Sequence, residues 1–209
     1  PGSGKALEFQ VLVRSMRQPE SHPAVFAPFA DAGATGRRYQ VWLRAPDAEL
    51  PTIDSLSAFA AESRSRQGNV AGSITDGDPS TFVVTFDGRP GEQDWFEVTL
   101  DAPATVHHVT FAHGKTFHNG GWFDATAGKP QLQIKSDVGD PWRTVGQFND
   151  YPDTTSTDAR GIRPGQMFTV TLREPVQARA VRIVGQPACG DNPRQAFSSC
   201  AELQAYAKP

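Results

Sequence analysis

The sequence predicts an all-β chain, and three observations carry that expectation. Seventeen prolines and nineteen glycines in 209 residues punctuate it with turns. No stretch sustains the 3.6-residue apolar period of a long amphipathic helix, and short runs with period-two alternation recur between the turn clusters.

In chain order, Ala6–Val13, Val25–Phe29 and Arg38–Leu43 read as strands. Three strands in fewer than about fifty residues cannot bury a sheet face unaided, so residues 1–50 are expected to be an incomplete segment, the tail of a preceding β-domain. Pro1-Gly2-Ser3-Gly4 reads as a cloning remnant or a loop. Ala45–Pro51, rich in Pro, Ala and acidic residues, reads as a linker, which places the second domain at 52–209. At its start two readings fit. Thr52–Ala61 carries Ile53, Leu56 and Phe59 at helical spacing, whereas Ala58–Ser65 suits a first strand. The remaining strands are Trp95–Leu100, Val106–Phe111, Gln131–Lys135, Trp142–Phe148, a run through Phe168, Val170 and Leu172, a run through Val181 and Ile183, and Glu202–Tyr206. Turn clusters at Asp87–Gly91, Asp137–Pro141 and Arg160–Gly165 separate them. About eight strands over some 150 residues suffice for a two-sheet core.

The formal net charge of −3, with a pI near 6.0, supplies no basic field for nucleic acid. No apolar run approaches membrane-spanning length, and no signal-peptide pattern opens the sequence. The two cysteines, Cys189 and Cys200, enclose a polar loop and match neither a zinc nor a redox motif. They are expected to form a disulfide that contributes about 2 to 3 kcal/mol and implies export; two buried free thiols are the other reading.

Three stretches carry candidate chemistry. Ile74-Thr75-Asp76-Gly77-Asp78-Pro79-Ser80-Thr81 is a tight acidic turn of the kind that presents hard oxygen ligands to a cation, and equally an ordinary surface loop. His113–Asp124 holds two histidines and three large aromatic residues around a Gly-Gly pair. Such a mixture suits a sugar, with Phe117, Trp122 or Phe123 stacking on its apolar face and His113, His118 and Asn119 binding hydroxyls. It suits equally a plug that closes one end of a sandwich or docks it on a neighbour. The disulfide loop adds Phe197 and Arg194 as a second candidate surface, with Phe197 packed beneath its own loop as the alternative. His113, His118 and Asp124 make a weak transition-metal set, and His107-His108 point to opposite faces of a strand.

The acidic turn after a first strand, together with Gln131-Leu-Gln-Ile, Ala180-Val-Arg-Ile and Ala201-Glu-Leu-Gln-Ala-Tyr, resembles the galactose-binding-like jelly-roll β-sandwich of the F5/8 type C, discoidin or family 32 carbohydrate-binding modules, over roughly residues 55–207. The resemblance favours the strand at 58–65. It implies a structural Ca²⁺ ion held by the side chains of Asp76, Asp78, Thr81 and Glu202 and the carbonyls of Ile74 and Ala201, tying first and last strands and leaving the opposite rim for recognition. It also implies a glycan ligand at the loops named above. Ala24-Val-Phe-Ala-Pro-Phe followed by Arg37-Arg-Tyr-Gln-Val-Trp resembles the closing strands of the β-domain after the catalytic barrel of glycoside hydrolase family 127, the β-L-arabinofuranosidase-like enzymes. On that resemblance the chain is a non-catalytic accessory region of a secreted glycosidase, its partner being a glycan or the upstream catalytic domain. No residue is assigned a catalytic role.

Overall fold

The computed structural model describes residues 11–15, 18–24, 39–43, 55–58, 60–70 and 72–208. The chain divides into two compact units, Pro1–Ile53 and Asp54–Pro209.

In the first unit β1 (Val11–Ser15), β2 (Gln18–Ala24) and β3 (Tyr39–Leu43) form an antiparallel sheet in the order β2-β1-β3. β1 and β3 overlap two expected strands. The expected strand Val25–Phe29, the linker Ala45–Pro51 and the opening Pro1–Gly4 lie outside the described residues. The sequence reading passed over Gln18–Ala24 because it holds Pro19 and Pro23. β2 pairs with β1 alone, and its register shifts where Pro19 lies, so an edge strand with an irregularity accommodates both prolines.

The second unit contains no helix among the described residues. Its strands are β4 (Ala61–Arg64), β5 (Val83–Val84), β6 (Asp94–His113), β7 (Phe123–Asp124), β8 (Gln131–Lys135), β9 (Arg143–Gln147), β10 (Met167–Pro187) and β11 (Ser199–Tyr206). All pairings are antiparallel, along the path β5-β11-β6-β10-β8-β9, with β4 added to β6 and β7 to β10. The helical reading of Thr52–Ala61 is not met at 55–58, which is a bridge and turn.

Four expected strands merge into two. Trp95–Leu100 and Val106–Phe111 are halves of β6, and the runs through Phe168 and Val181 are halves of β10. Asp101, Ala102 and Pro103, exposed between the halves of β6, bend the strand without reversing it, and the β6–β10 register shifts at Thr171/Val176 and Ala178/Ala180. An unbent strand would put Phe96 and Phe111 roughly 50 Å apart. Instead their rings lie 6.3 and 5.9 Å from that of Phe123. The bend therefore folds the sheet over itself into a β-sandwich, with Phe96, Val98, Phe111, Leu132, Ile134, Phe168, Val181 and Ile183 in one core.

The expected disulfide is absent: Cys189 and Cys200 are both free. Ala188 and Phe197 form a bridge that closes the loop, so Cys200 lies three residues farther along than Phe197, roughly 10 Å of strand, beyond disulfide reach. Its side chain is buried in β11, and burial pushes its thiol well up, so it behaves as a small apolar residue. The inference of export from a disulfide falls with it.

Phe123 is the point where the two layers meet. Its N–H donates to the Tyr151 hydroxyl (3.0 Å) and its carbonyl accepts from Thr154 Oγ1 (2.6 Å). Phe123→Ala is expected to lower stability by about 3 to 5 kcal/mol in chemical denaturation, because the rings of Phe96, Phe111 and Tyr151 cannot close the space.

Candidate functional site

The acidic turn is held at Ile74 from two sides, by β4 and by the last strand. The Ile74 N–H donates to Glu62 Oε2 of β4 (2.7 Å), and its carbonyl accepts from the Leu203 N–H of β11 (2.8 Å). Gly77, at φ 77°, provides the left-handed residue between the two aspartates. Asp76 Oδ1 accepts from the Asp78 N–H (2.9 Å), and Thr81 Oγ1 lies 3.1 Å from Asp76 Oδ2.

Glu202 points from β11 into this turn and is 4% exposed. Its Oε2 accepts from Gln204 Nε2 (3.1 Å), while Oε1 is buried with no hydrogen-bond partner. Burial first, and then the Asp76 carboxyl beside it, push its pKa from the ordinary 4.5 to about 9. A buried carboxylate with an orphaned oxygen beside a second carboxylate is costly unless a cation joins them.

Asp78 departs from the expected ligand set. Its carboxylate is exposed and accepts from the Ser80 N–H (2.9 Å) and hydroxyl (2.6 Å), which hold it below the usual carboxylate range. The short Asp side chain caps its own turn, and what it offers the turn's interior is its carbonyl, an acceptor for Thr81 N–H (3.1 Å). Among the described residues no three His, Cys, Asp or Glu side chains converge. That removes the His113, His118 and Asp124 set. It leaves Asp76 and Glu202 with hydroxyl and carbonyl oxygens, a donor set that fits a hard divalent cation.

In the aromatic loop the structure buries some of the candidate residues and leaves others accessible. Trp122 is 3% exposed and donates from Nε1 to the Thr155 carbonyl (2.8 Å); Phe123 is in the core; Phe197 is 3% exposed. His113 is fully buried, with Nε2 3.0 Å from Thr116 Oγ1, and burial lowers its pKa to about 4, so it is neutral. These four are packing residues of the unit itself, because the Gly-Gly pair turns the chain inward. Gly120 and Gly121 sit at φ 134° and 106°, and a Cβ on Gly121 would lie 2.4 Å from the Lys115 carbonyl.

What stays accessible forms one rim. The loop after β6 and the loop before β11 are joined by Asp191 N–H to the His118 carbonyl (2.9 Å) and Gly121 N–H to the Phe197 carbonyl (2.9 Å). His118 and Arg194 are exposed there, and Phe117 and Asn119 are half-buried. The Phe117 ring leans on Phe197 (5.8 Å) and on Phe82 (6.2 Å). Phe82 directly follows Thr81, so the acidic turn and the rim share one end of the sandwich. The expectation of an opposite rim is corrected accordingly.

Sequence reading missed the polar knot under this rim. Asp94 is fully buried and accepts from Ser65 Oγ (2.9 Å), Arg66 Nε (3.1 Å), the Ser198 N–H and Oγ (both 3.0 Å) and Thr85 Oγ1. The signal was present: Asp94 falls on the same alternation as Phe96, Val98 and Leu100, a carboxylate on a core face.

The profile of the F5/8 type C domain matches residues 58–203. The chain belongs to this family. Three similar solved structures come from Clostridium perfringens. They include the module CpGH89CBM32-5 in complex with GalNAc-β-1,3-galactose, at 17% identity and a TM-score of 0.53 over 73% of this chain and 99% of that one. The family 32 module of NanJ, in complex with galactose, gives 18% identity and a TM-score of 0.52 over 73% and 98%. The CBM32-3 module of a family 31 glycoside hydrolase gives 15% and 0.55 over 74% and 96%. At such identities these likenesses establish the jelly-roll fold of the F5/8 type C domain. No curated protein matches the chain.

The raised pKa of Glu202 fixes a sign for this domain. The folded state holds a proton that the unfolded chain releases, so the group's contribution is complete below about pH 4.5 and is lost as pH rises towards about 9. Denaturation in chelator should show stability falling across that window, and Glu202→Gln should flatten the fall.

Proposed function

We propose that this F5/8 type C domain is a non-catalytic glycan-binding module, tied by a structural Ca²⁺ ion and carried as an accessory region of a secreted glycoside hydrolase. The observation that carries the reading is the convergence of two loops, distant in sequence, into one rim that leaves His118, Asn119, Arg194 and the edge of Phe117 accessible. Planar and charged donors around an aromatic edge are what a sugar's paired hydroxyls and apolar face require. The sugar-bound modules of similar fold lend the reading its ligand class.

The cation would be held by the side chains of Asp76, Thr81 and Glu202 and by the carbonyls of Ile74, Ala201 and Asp78. Bound there it neutralises the carboxylate pair and fastens the first turn to the last strand. The rival reading, a docking domain that binds no glycan, drew on Trp122 and Phe123 as an interdomain plug. Both are used inside their own unit, so that motive lapses. Export and the family 127 parent enzyme rest on the sequence resemblances alone, and the chain is expected to release nothing from aryl glycosides.

Two measurements test this. Titration calorimetry of the chain with galactose- and N-acetylgalactosamine-terminated oligosaccharides should give binding that weakens at least about ten-fold, roughly 1.4 kcal/mol, in His118→Ala or Arg194→Ala. No heat with any such glycan would overturn the reading. Saturating Ca²⁺ should raise the unfolding midpoint, by the equivalent of about 2.7 kcal/mol at a hundred times Kd, and abolish the pH slope attributed to Glu202; Glu202→Gln should remove the gain.

A further inference from the structure

Away from the loop rim, the outer face of the sheet formed by β6, β10, β8 and β9 carries side chains that the preceding reading does not use. The ladder registers place Glu97, Arg182, Gln133 and Thr144 in one row across the sheet. Trp95, Val184 and Gln131 form the next row, and Thr99, Ala180 and Lys135 the row on the other side. Val181 and Ile183 belong to the core, so the alternating Ala180, Arg182 and Val184 face outward. Ala180 and Val184 are nevertheless buried.

The row is pre-arranged. Arg182 Nε donates to Gln133 Oε1 (2.8 Å), Gln133 Nε2 donates to Thr144 Oγ1 (3.1 Å), and Thr144 Oγ1 donates to Gln131 Oε1 (3.2 Å). The Arg182 guanidinium carbon lies 4.2 Å from the centre of the Trp142 ring and 5.7 Å from that of Trp95, and Lys135 Nζ lies 4.8 Å from Trp142. Two cations thus crowd one indole. Among the described residues neither forms an ion pair, and neither the terminal nitrogens of Arg182 nor Lys135 Nζ donate a hydrogen bond. Glu97 neighbours Arg182 across the ladder and acts on it only from beyond ion-pair distance. Four indole and cationic groups, all half-buried, are held in fixed positions with their anion-binding capacity unspent.

We propose that this face is a second ligand site, which takes an acidic polysaccharide, its carboxylate or sulfate groups on Arg182 and Lys135 and a sugar ring against Trp95. Charge complementarity selects an anion, in a chain whose net charge of −3 would otherwise repel one. The flat indole selects a sugar, because a pyranose offers the apolar C–H face that an acidic peptide lacks. Amide side chains at Gln131 and Gln133 supply donors and acceptors for hydroxyls between the anchors. The site is independent of the loop rim, and the two can fail separately.

Affinity electrophoresis of the full chain tests it, with polygalacturonate, dextran sulfate, poly-L-glutamate and a neutral galactan as probes. At least one acidic polysaccharide should retard the chain, and which of the two binds more tightly names the anion. Retardation should weaken with salt, fall at least ten-fold in Arg182→Gln and in Lys135→Gln, and persist in His118→Ala. Lys135→Gln keeps the test decisive should Arg182→Gln fail to fold. Absence of retardation by both acidic polysaccharides, as expected if a second copy or another segment covers the face, would overturn the proposal. So would equal retardation by poly-L-glutamate, or indifference to both substitutions.

Discussion

The pairing of β6 with β10 runs from Met167 opposite Ala112 to Gly185 opposite Asp94, and the bend within that pair is the constraint on which the rest of the domain depends. Because both strands pass through both layers, the layers cannot slide independently, and the fold needs no separate connection to set their spacing. The cost is that the inside of the bend must be filled by one large residue approached from two directions. Phe123 fills it, and the hydrogen bonds of its backbone to Tyr151 and Thr154 keep it there. Every loop at the Asp94 end is then a consequence of where these two strands stop. The chain leaves β10 at Pro187 and enters β11 at Ser199, which obliges residues 188–198 to lie against the loop that leaves β6.

Two buried carboxylates at that end meet the same physical problem in different ways. Asp94 is supplied with a guanidinium, three hydroxyls and a backbone N–H, so removal from water is compensated. Glu202 is supplied with one side-chain amide, its Oε1 is left without a hydrogen-bond partner, and the Asp76 carboxyl lies beside it. A fold able to satisfy Asp94 completely a few residues away is not short of donors. The asymmetry is therefore a property of the site at Glu202, and protonation or a cation are the two ways to relieve it.

What the sequence made legible follows the same division between local and long-range information. Alternation is local, and it placed the apolar face of β6, β8 and β10 correctly at Phe96, Val98, Leu132, Ile134, Val181 and Ile183. The acidic turn was likewise legible, because Gly77 and the Asx side chains act within three residues. Continuity was not legible: a bend at Asp101–Pro103 and a turn that reverses the chain use the same residue types. Nor was the environment of Trp122, since an aromatic loop has the same composition whether it faces a sugar or its own core. The disulfide failed for a geometric reason, the register of Ala188 with Phe197, which no count of intervening residues contains.

The shared end has a mechanical consequence. Thr81 belongs to the acidic turn and Phe82 to the packing under Phe117, so one peptide unit separates the candidate cation ligands from the aromatic edge of the rim. Gly114 reinforces the link, since a Cβ there would lie 2.9 Å from both Phe82 and Ser199, leaving no slack between the two loops. Ser199 in turn accepts from the Lys115 N–H (2.8 Å) and donates to the Gly121 carbonyl (2.7 Å), which fixes both ends of the aromatic loop to β11, three residues before Glu202. Anything that orders Asp76 and Glu202 therefore orders Phe82, Ser199 and the rim with them.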